Sequence, residues 1–141
     1  MATPAGSPRT IRLSKPPLIA IVDDDEDVRE ALCDLLEAEG FPACTFDSAV
    51  AFLTYERCEG FDCLITDVRM PEIDGLELQQ RLRARGSSMP VIFITASTHE
   101  ATRMRALLDG AVAWFTKPVS DEALLRELQT ALARKDGPRP T

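Results

Sequence analysis

The chain has 141 residues, 45% of them hydrophobic and 28% charged, with a formal net charge of -7. That length suits one domain around one core, and the composition excludes disordered and fibrous classes. The acidic balance argues against nucleic-acid binding by the chain itself, which needs Lys and Arg in excess, and no apolar run approaches the roughly 20 residues that span a bilayer.

The first residues lack a signal-peptide pattern, because the run after Pro16-Pro17 is too short for an h-region; a cytoplasmic protein is expected. Cys33, Cys44, Cys58 and Cys63 show no C-x-x-C pair, and His99 is far from all of them in sequence. They read as reduced structural thiols in helices and strands and not as a zinc site.

Residues 1–17 carry prolines among Ala, Gly, Ser and Thr, with Arg9, Arg12 and Lys15 but no acid, and read as a disordered leader. Leu18 to Val22 is a continuous apolar run, the mark of a strand buried on both faces. It ends in Asp23-Asp24-Asp25, with Asp25 placed to cap a helix whose stripe is Val28, Leu32, Leu35 and Leu36 and whose stop is Gly40. Phe41 to Phe46 reads as a second, weaker strand. Asp47 or Ser48 then caps a short helix through Ala51, Phe52 and Leu53. A third strand runs from Phe61 to Thr66, and its apolar run from Cys63 to Thr66 delivers Asp67 to a turn built around Pro71 and Gly75. Leu76 to Leu82 is helical, Val91 to Thr95 is a fourth strand, and a helix with Ala101, Met104, Leu107 and Leu108 on one face, most of them expected in the core and a few exposed, stops at Gly110. Ala111 to Phe115 is the fifth strand, then Lys117-Pro118 and a last helix with Leu124, Leu125, Leu128 and Leu132.

Five strands alternating with five helices predict an α/β fold, a doubly wound parallel sheet with right-handed crossovers. Ligands in such sheets gather at the carboxyl ends of the strands. That edge collects Asp23 and Asp24, Asp67, Thr95 and Lys117, each from a different part of the chain. Singly, these are an N-cap run, an Asx-type turn residue, strand filler and a surface charge. Their joint place on one edge is what carries the argument. Crowded carboxylates repel unless a cation joins them, and a hard divalent ion such as Mg²⁺ meets that need. The set suits phosphoryl transfer to Asp67 as a carboxylate nucleophile, with the Lys117 ammonium and the Thr95 hydroxyl donating to the phosphoryl oxygens.

The acidic pair Asp23-Asp24, the Asp67-x-x-Met-Pro71 turn with Gly75, Thr95-Ala96 and Lys117-Pro118 together resemble the receiver domain of two-component response regulators. The likeness runs from about Leu18 to Ala133. It implies a flavodoxin-like (βα)5 sheet of order 2-1-3-4-5, with 18–134 as the domain and 135–141 as a flexible tail. It also implies that Asp67 is the phosphoacceptor, and that Mg²⁺ is bound by Asp23 (through a water), Asp24, Asp67 and the backbone carbonyl of Arg69. Thr95 would be the switch hydroxyl, Lys117 the phosphate-binding ammonium, and the Lys117-Pro118 peptide often cis. The switch aromatic of the family falls at Trp114, where Tyr or Phe is usual, so its rotamer exchange is expected to be altered.

The same resemblance implies a phosphodonor that is a sensor histidine kinase or phosphotransfer protein. The output face would be the fourth helix, fifth strand and fifth helix, used for partner binding or for a homodimer on phosphorylation. The domain would act on no separate substrate and catalyse only its own phosphorylation and dephosphorylation. The Asp67 loop and Glu122-Ala-Leu-Leu are similar to receivers of LuxR/FixJ-type regulators. The eight residues after Ala133 are too few for an output module, so a single-domain regulator and the front of a longer one both stay open. A haloacid-dehalogenase-like phosphatase would need a second Asp where Arg69 stands. A nucleotide-binding module would need a Gly-, Ser- or Thr-rich loop in place of Asp-Asp-Asp-Glu-Asp.

Overall fold

A computed structural model describes residues 16–96 and 99–136 of the chain. The expected leader up to Lys15 and the tail from Gly137 lie outside the described residues. Eleven elements follow in order: β1 (Ile19–Val22), α1 (Glu26–Ala38), β2 (Ala43–Phe46), α2 (Ala49–Leu53), a 3₁₀ turn (Cys58–Gly60), β3 (Cys63–Thr66), α3 (Gly75–Ala84), β4 (Val91–Thr95), α4 (Glu100–Leu108), β5 (Ala113–Thr116) and α5 (Asp121–Asp136). The strands form one parallel sheet in the order β2-β1-β3-β4-β5, as expected.

Alternation along each strand splits the core in two. Ala20, Val22, Leu64, Val91 and Phe93 face α2, α3 and α4, where Phe52, Leu78, Leu82 and Ala106 close the layer. Ile19, Ile21, Cys63, Ile65, Ile92 and Ile94 face α1 and α5, against Leu32, Leu36, Leu124, Leu128 and Ala131. β1, β3 and β4 are buried throughout, which is why they read as unbroken apolar runs. No helix among the described residues is long and apolar enough to cross a membrane. All four cysteines are free, and burial pushes the Cys63 thiol up to about 12. Cys58 sits in the 3₁₀ turn, neither helix nor strand as expected.

Several sequence expectations need correction. Phe41 belongs to the end of α1 and not to β2: its N–H donates to Leu36 O at 2.9 Å while Gly40 (φ 89°) donates to Glu37 O at 3.1 Å, a Schellman closure. Ala111 does the same for α4, donating to Ala106 O at 3.0 Å, so β5 starts at Ala113. Phe61 is apolar because it joins a ring cluster with Phe46, Phe52 and Tyr55, with no strand pairing of its own. Ser48, not Asp47, caps α2, its Oγ accepting from Ala51 N at 3.0 Å. α5 continues to Asp136, past the expected start of the tail at Lys135. On α4 the buried residue is Ala106, while Ala101, Met104 and Leu108 of the apolar face, most of which was expected in the core, are exposed.

Candidate functional site

Sheet register alone brings the acidic residues together. Asp67 follows β3 and donates its N–H to Val22 O at 3.1 Å, which sets it beside Asp23 at the end of β1. The two side chains are almost enclosed, Asp23 3% and Asp67 8% exposed, while Asp24 is exposed. One carboxylate oxygen from each of Asp23, Asp24 and Asp67 lies within 4.8 Å of the other two. Lys117 bridges two of them, its Nζ donating to Asp23 Oδ2 and to Asp67 Oδ2, each at 3.1 Å.

Asp23, Asp67 and Lys117 are further tied down by backbone. Val68 N–H donates to Asp67 Oδ1 at 2.6 Å, and Asp25 N–H to Asp23 Oδ1 at 2.9 Å. Arg29 Nη1 donates to the Asp23 carbonyl at 2.8 Å. Lys117 N–H donates to Thr95 O at 2.8 Å, which fixes the lysine to the end of β4 where the buried Thr95 lies. The Lys117-Pro118 peptide is cis.

Electrostatics follow from this crowding. Burial raises the Asp23 carboxyl above its ordinary 3.8, with the Asp67 charge adding to the rise and the bonds from Asp25 N–H and Lys117 opposing it. Burial depresses the Lys117 ammonium, but hydrogen bonds and charge from Asp67 and Asp23 outweigh it, so its pKa ends above the ordinary 10.5. One ammonium against three carboxylates leaves the cluster net anionic. Three hard oxygen donors that close together, with that excess charge, fit a divalent ion of the Mg²⁺ kind.

The loop behind Asp67 is built to close tolerances. A Cβ at Gly75 would fall onto the Asp67 carbonyl oxygen and lie 3.0 Å from its carbonyl carbon and from Val68 Cα. Gly75 N–H donates to Val68 O at 2.8 Å. Between them, Ile73 N–H reaches back to Pro71 O at 2.8 Å across Glu72, whose φ is 69°. The Asp67 carbonyl also accepts from Thr66 Oγ1 at 2.9 Å.

Comparison with known proteins decides the family. Residues 19–129 match the profile of the response regulator receiver domain. The chain belongs to the response regulator receiver family. It is 43% identical over 115 residues to the response regulator protein TmoT of Ectopseudomonas mendocina, covering 82% of this chain and 52% of that one. It is 35% identical over 118 residues to the transcriptional regulatory protein FixJ of Bradyrhizobium diazoefficiens, covering 84% and 58%. The chain thus spans about half the length of these relatives. Among solved structures, FixJ-N superposes with a TM-score of 0.75 at 32% identity, covering 84% of this chain and 94% of that one. The chemotaxis protein CheY4 of Vibrio cholerae gives 0.77 at 27%, covering 84% and 100%.

Within this receiver domain, Asp23, Asp24, Asp67 and Lys117 are brought into one cluster, and Thr95 adjoins it through Lys117. Arg69 is exposed in the loop, and its Nη2 lies 3.4 Å from His99 Nδ1. Trp114 is half-buried, with its ring 5.5 Å from that of Phe93. Sequence reasoning missed Thr66, Arg29 and the Val68 amide, all of which hold the acidic residues in place. Thr66 leaves no trace in the pattern, since a buried hydroxyl in an apolar run looks like any β-branched strand residue.

Proposed function

We propose that this receiver domain accepts a phosphoryl group on Asp67 from a sensor histidine kinase or phosphotransfer protein, and that the acyl phosphate switches the α4-β5-α5 face for partner binding or dimerisation. The observation that carries this reading is the Asp67 carboxylate held between Val68 N–H and Lys117, beside Asp23 and Asp24. A carboxylate so placed is oriented, set at the carboxyl edge of the sheet and partly neutralised.

In the reaction, one Asp67 oxygen forms a bond to phosphorus as the N–P bond of a phosphohistidine breaks. The imidazole nitrogen keeps the bonding pair and takes up a proton from solvent. Asp23 (through a water), Asp24, Asp67 and the Arg69 carbonyl would hold Mg²⁺, which supplies the positive charge that lets a carboxylate meet an anionic phosphoryl group. Lys117 already donates to Asp67 and would pass its ammonium to the phosphoryl oxygens. Thr95, tied to Lys117 through its carbonyl, would add its hydroxyl, and the small Ala96 leaves room beside it. Trp114 would act as the switch aromatic between Phe93 and the edge of β5. The domain acts on no separate substrate; water returns it to the free carboxylate.

The test is acetyl phosphate with Mg²⁺, read by mass spectrometry. Wild type gains a phosphoryl group on Asp67, and Asp67→Asn gains none while its circular dichroism is unchanged. Equal labelling of that variant sinks the assignment.

A further inference from the structure

Helix α3 starts against Asp67 and ends beneath the last turn of α4, and one side of it touches both. Its first residue, Gly75, abuts the Asp67 carbonyl and donates to Val68 O. One turn on, the fully buried Gln79 donates from Nε2 to Ala106 O at 3.2 Å and to Asp109 O at 3.3 Å. A further turn on, Arg83 donates from Nε to the same Asp109 O at 3.1 Å, and from Nη1 to Ser87 O at 3.1 Å and Met89 O at 2.9 Å. Residues four apart share a helix face, so these contacts form one stripe.

Gln79 is a poor choice for packing alone. It lies on the face of α3 buried with Leu78 and Leu82, and its Oε1 has no hydrogen-bond donor among the described residues; Asp109 Oδ2 also has none there. Burying an amide with an unmet acceptor is less favourable than burying a leucine. Turning the amide over would set its oxygen against two carbonyl oxygens, so the donors must face α4. In return the protein gains two side-chain bonds to the end of a helix that has little other purchase. Ala106 is the one buried residue of α4. A helix held by so narrow an apolar contact takes its position from the few polar bonds at its end.

We propose that Gln79 is the residue through which the Asp67 loop positions α4. A loop displacement on phosphorylation moves α3 as a rod at Gly75, and Gln79, supported by Arg83, passes it to the C-terminal turn of α4. This rests on the reading of Asp67 as the phosphoacceptor. Hydrogen–deuterium exchange on wild type, Gln79→Leu and Gln79→Met, each with and without Mg²⁺ and beryllofluoride, tests it, with acetyl phosphate labelling of Asp67 run in parallel. In wild type the amides of α3 and of the last turn of α4 change exchange together. Both variants still take a phosphoryl group on Asp67, but their α4 response shrinks by about fivefold or more. An undiminished α4 response in a folded, labelled variant overturns the proposal and leaves Gln79 as a helix cap alone. An unlabelled wild type overturns the phosphoacceptor reading and this proposal with it. Should both variants unfold, wild type decides: a change in α4 without one in α3 overturns the coupling.

Discussion

A methyl group at position 75 has nowhere to go except into the Asp67 carbonyl. Gly75→Ala should therefore cost about 1–3 kcal/mol, the usual range for overpacking, and misplace the acceptor as well. Urea unfolding and acetyl phosphate labelling should both register the change, whereas a loop that merely relaxes would leave labelling intact. Thr66 acts on the same carbonyl from the other side. Thr66→Val keeps the shape, loses one hydrogen bond of about 1 kcal/mol, and should slow labelling; Thr66→Ser should restore it. Asp23 carries a pH signature. Its folded pKa is raised above the ordinary 3.8, so its contribution to stability is present at lower pH and is lost as pH rises through the folded value. Without Mg²⁺, Asp23→Asn should then gain stability relative to wild type as the pH rises through the Asp23 titration, since the variant has no carboxylate to desolvate. That gain should vanish as the pH falls through the Asp23 titration, and thermal melts across pH 3–8 read both results. An advantage that is independent of pH would mean the charge of Asp23 is not its source.

At the scale of the element, legibility followed the kind of force that shapes each segment. Asp25 as the cap of α1 could be read directly, because a carboxylate before a first turn has one local use. Its Oδ1 accepts from Asp27 N at 2.9 Å and Val28 N at 3.3 Å, and Asp25→Ala should cost about 0.5–2 kcal/mol, measured by chemical denaturation. β1, β3 and β4 were readable since burial on both faces leaves an unbroken apolar run. Strand limits at Phe41 and Ala111 were not, because a helix closing over glycine borrows the next apolar residue for its last hydrogen bond. α4 misled for a deeper reason. Ala101, Met104 and Leu108 repeat at helical spacing and imitate an inward stripe, yet the helix turns its small Ala106 to the sheet and presents the larger side chains to solvent. Periodicity identifies an apolar face but not which neighbour covers it. The carboxylate cluster could be inferred for the opposite reason: strand ends on one edge of a parallel sheet must converge. What fixes those carboxylates in place, the Thr66 hydroxyl and the Val68 amide, depends on distances that no spacing encodes.

Across the whole molecule, the two layers differ in how completely they are closed. The face covered by α1 and α5 carries a wide aliphatic layer, while α4 at the far end of the other face leaves Met104 46% and Leu108 78% exposed next to the edge strand β5. β5 itself is half-buried along Ala113, Trp114 and Phe115. An edge strand beside exposed large apolar side chains is a surface that gains free energy when covered. The opposite edge, β2, instead has the Phe46, Phe52, Tyr55 and Phe61 rings packed about its end. If the α4-β5-α5 face is the output surface, covering it should depend on the state of Asp67. Sedimentation velocity should then show a monomer without a phosphoryl mimic and concentration-dependent self-association with Mg²⁺ and beryllofluoride. Leu108→Asp places a charge at the most exposed large apolar side chain among the described residues and should abolish association. Labelling of Asp67 by acetyl phosphate should stay unchanged, since Leu108 is 78% exposed on α4 while Asp67 is buried in the carboxylate cluster. A wild type that stays monomeric with the mimic bound would assign the face to a different protein. Loss of labelling in Leu108→Asp would instead mean that α4 shapes the site as well as responding to it.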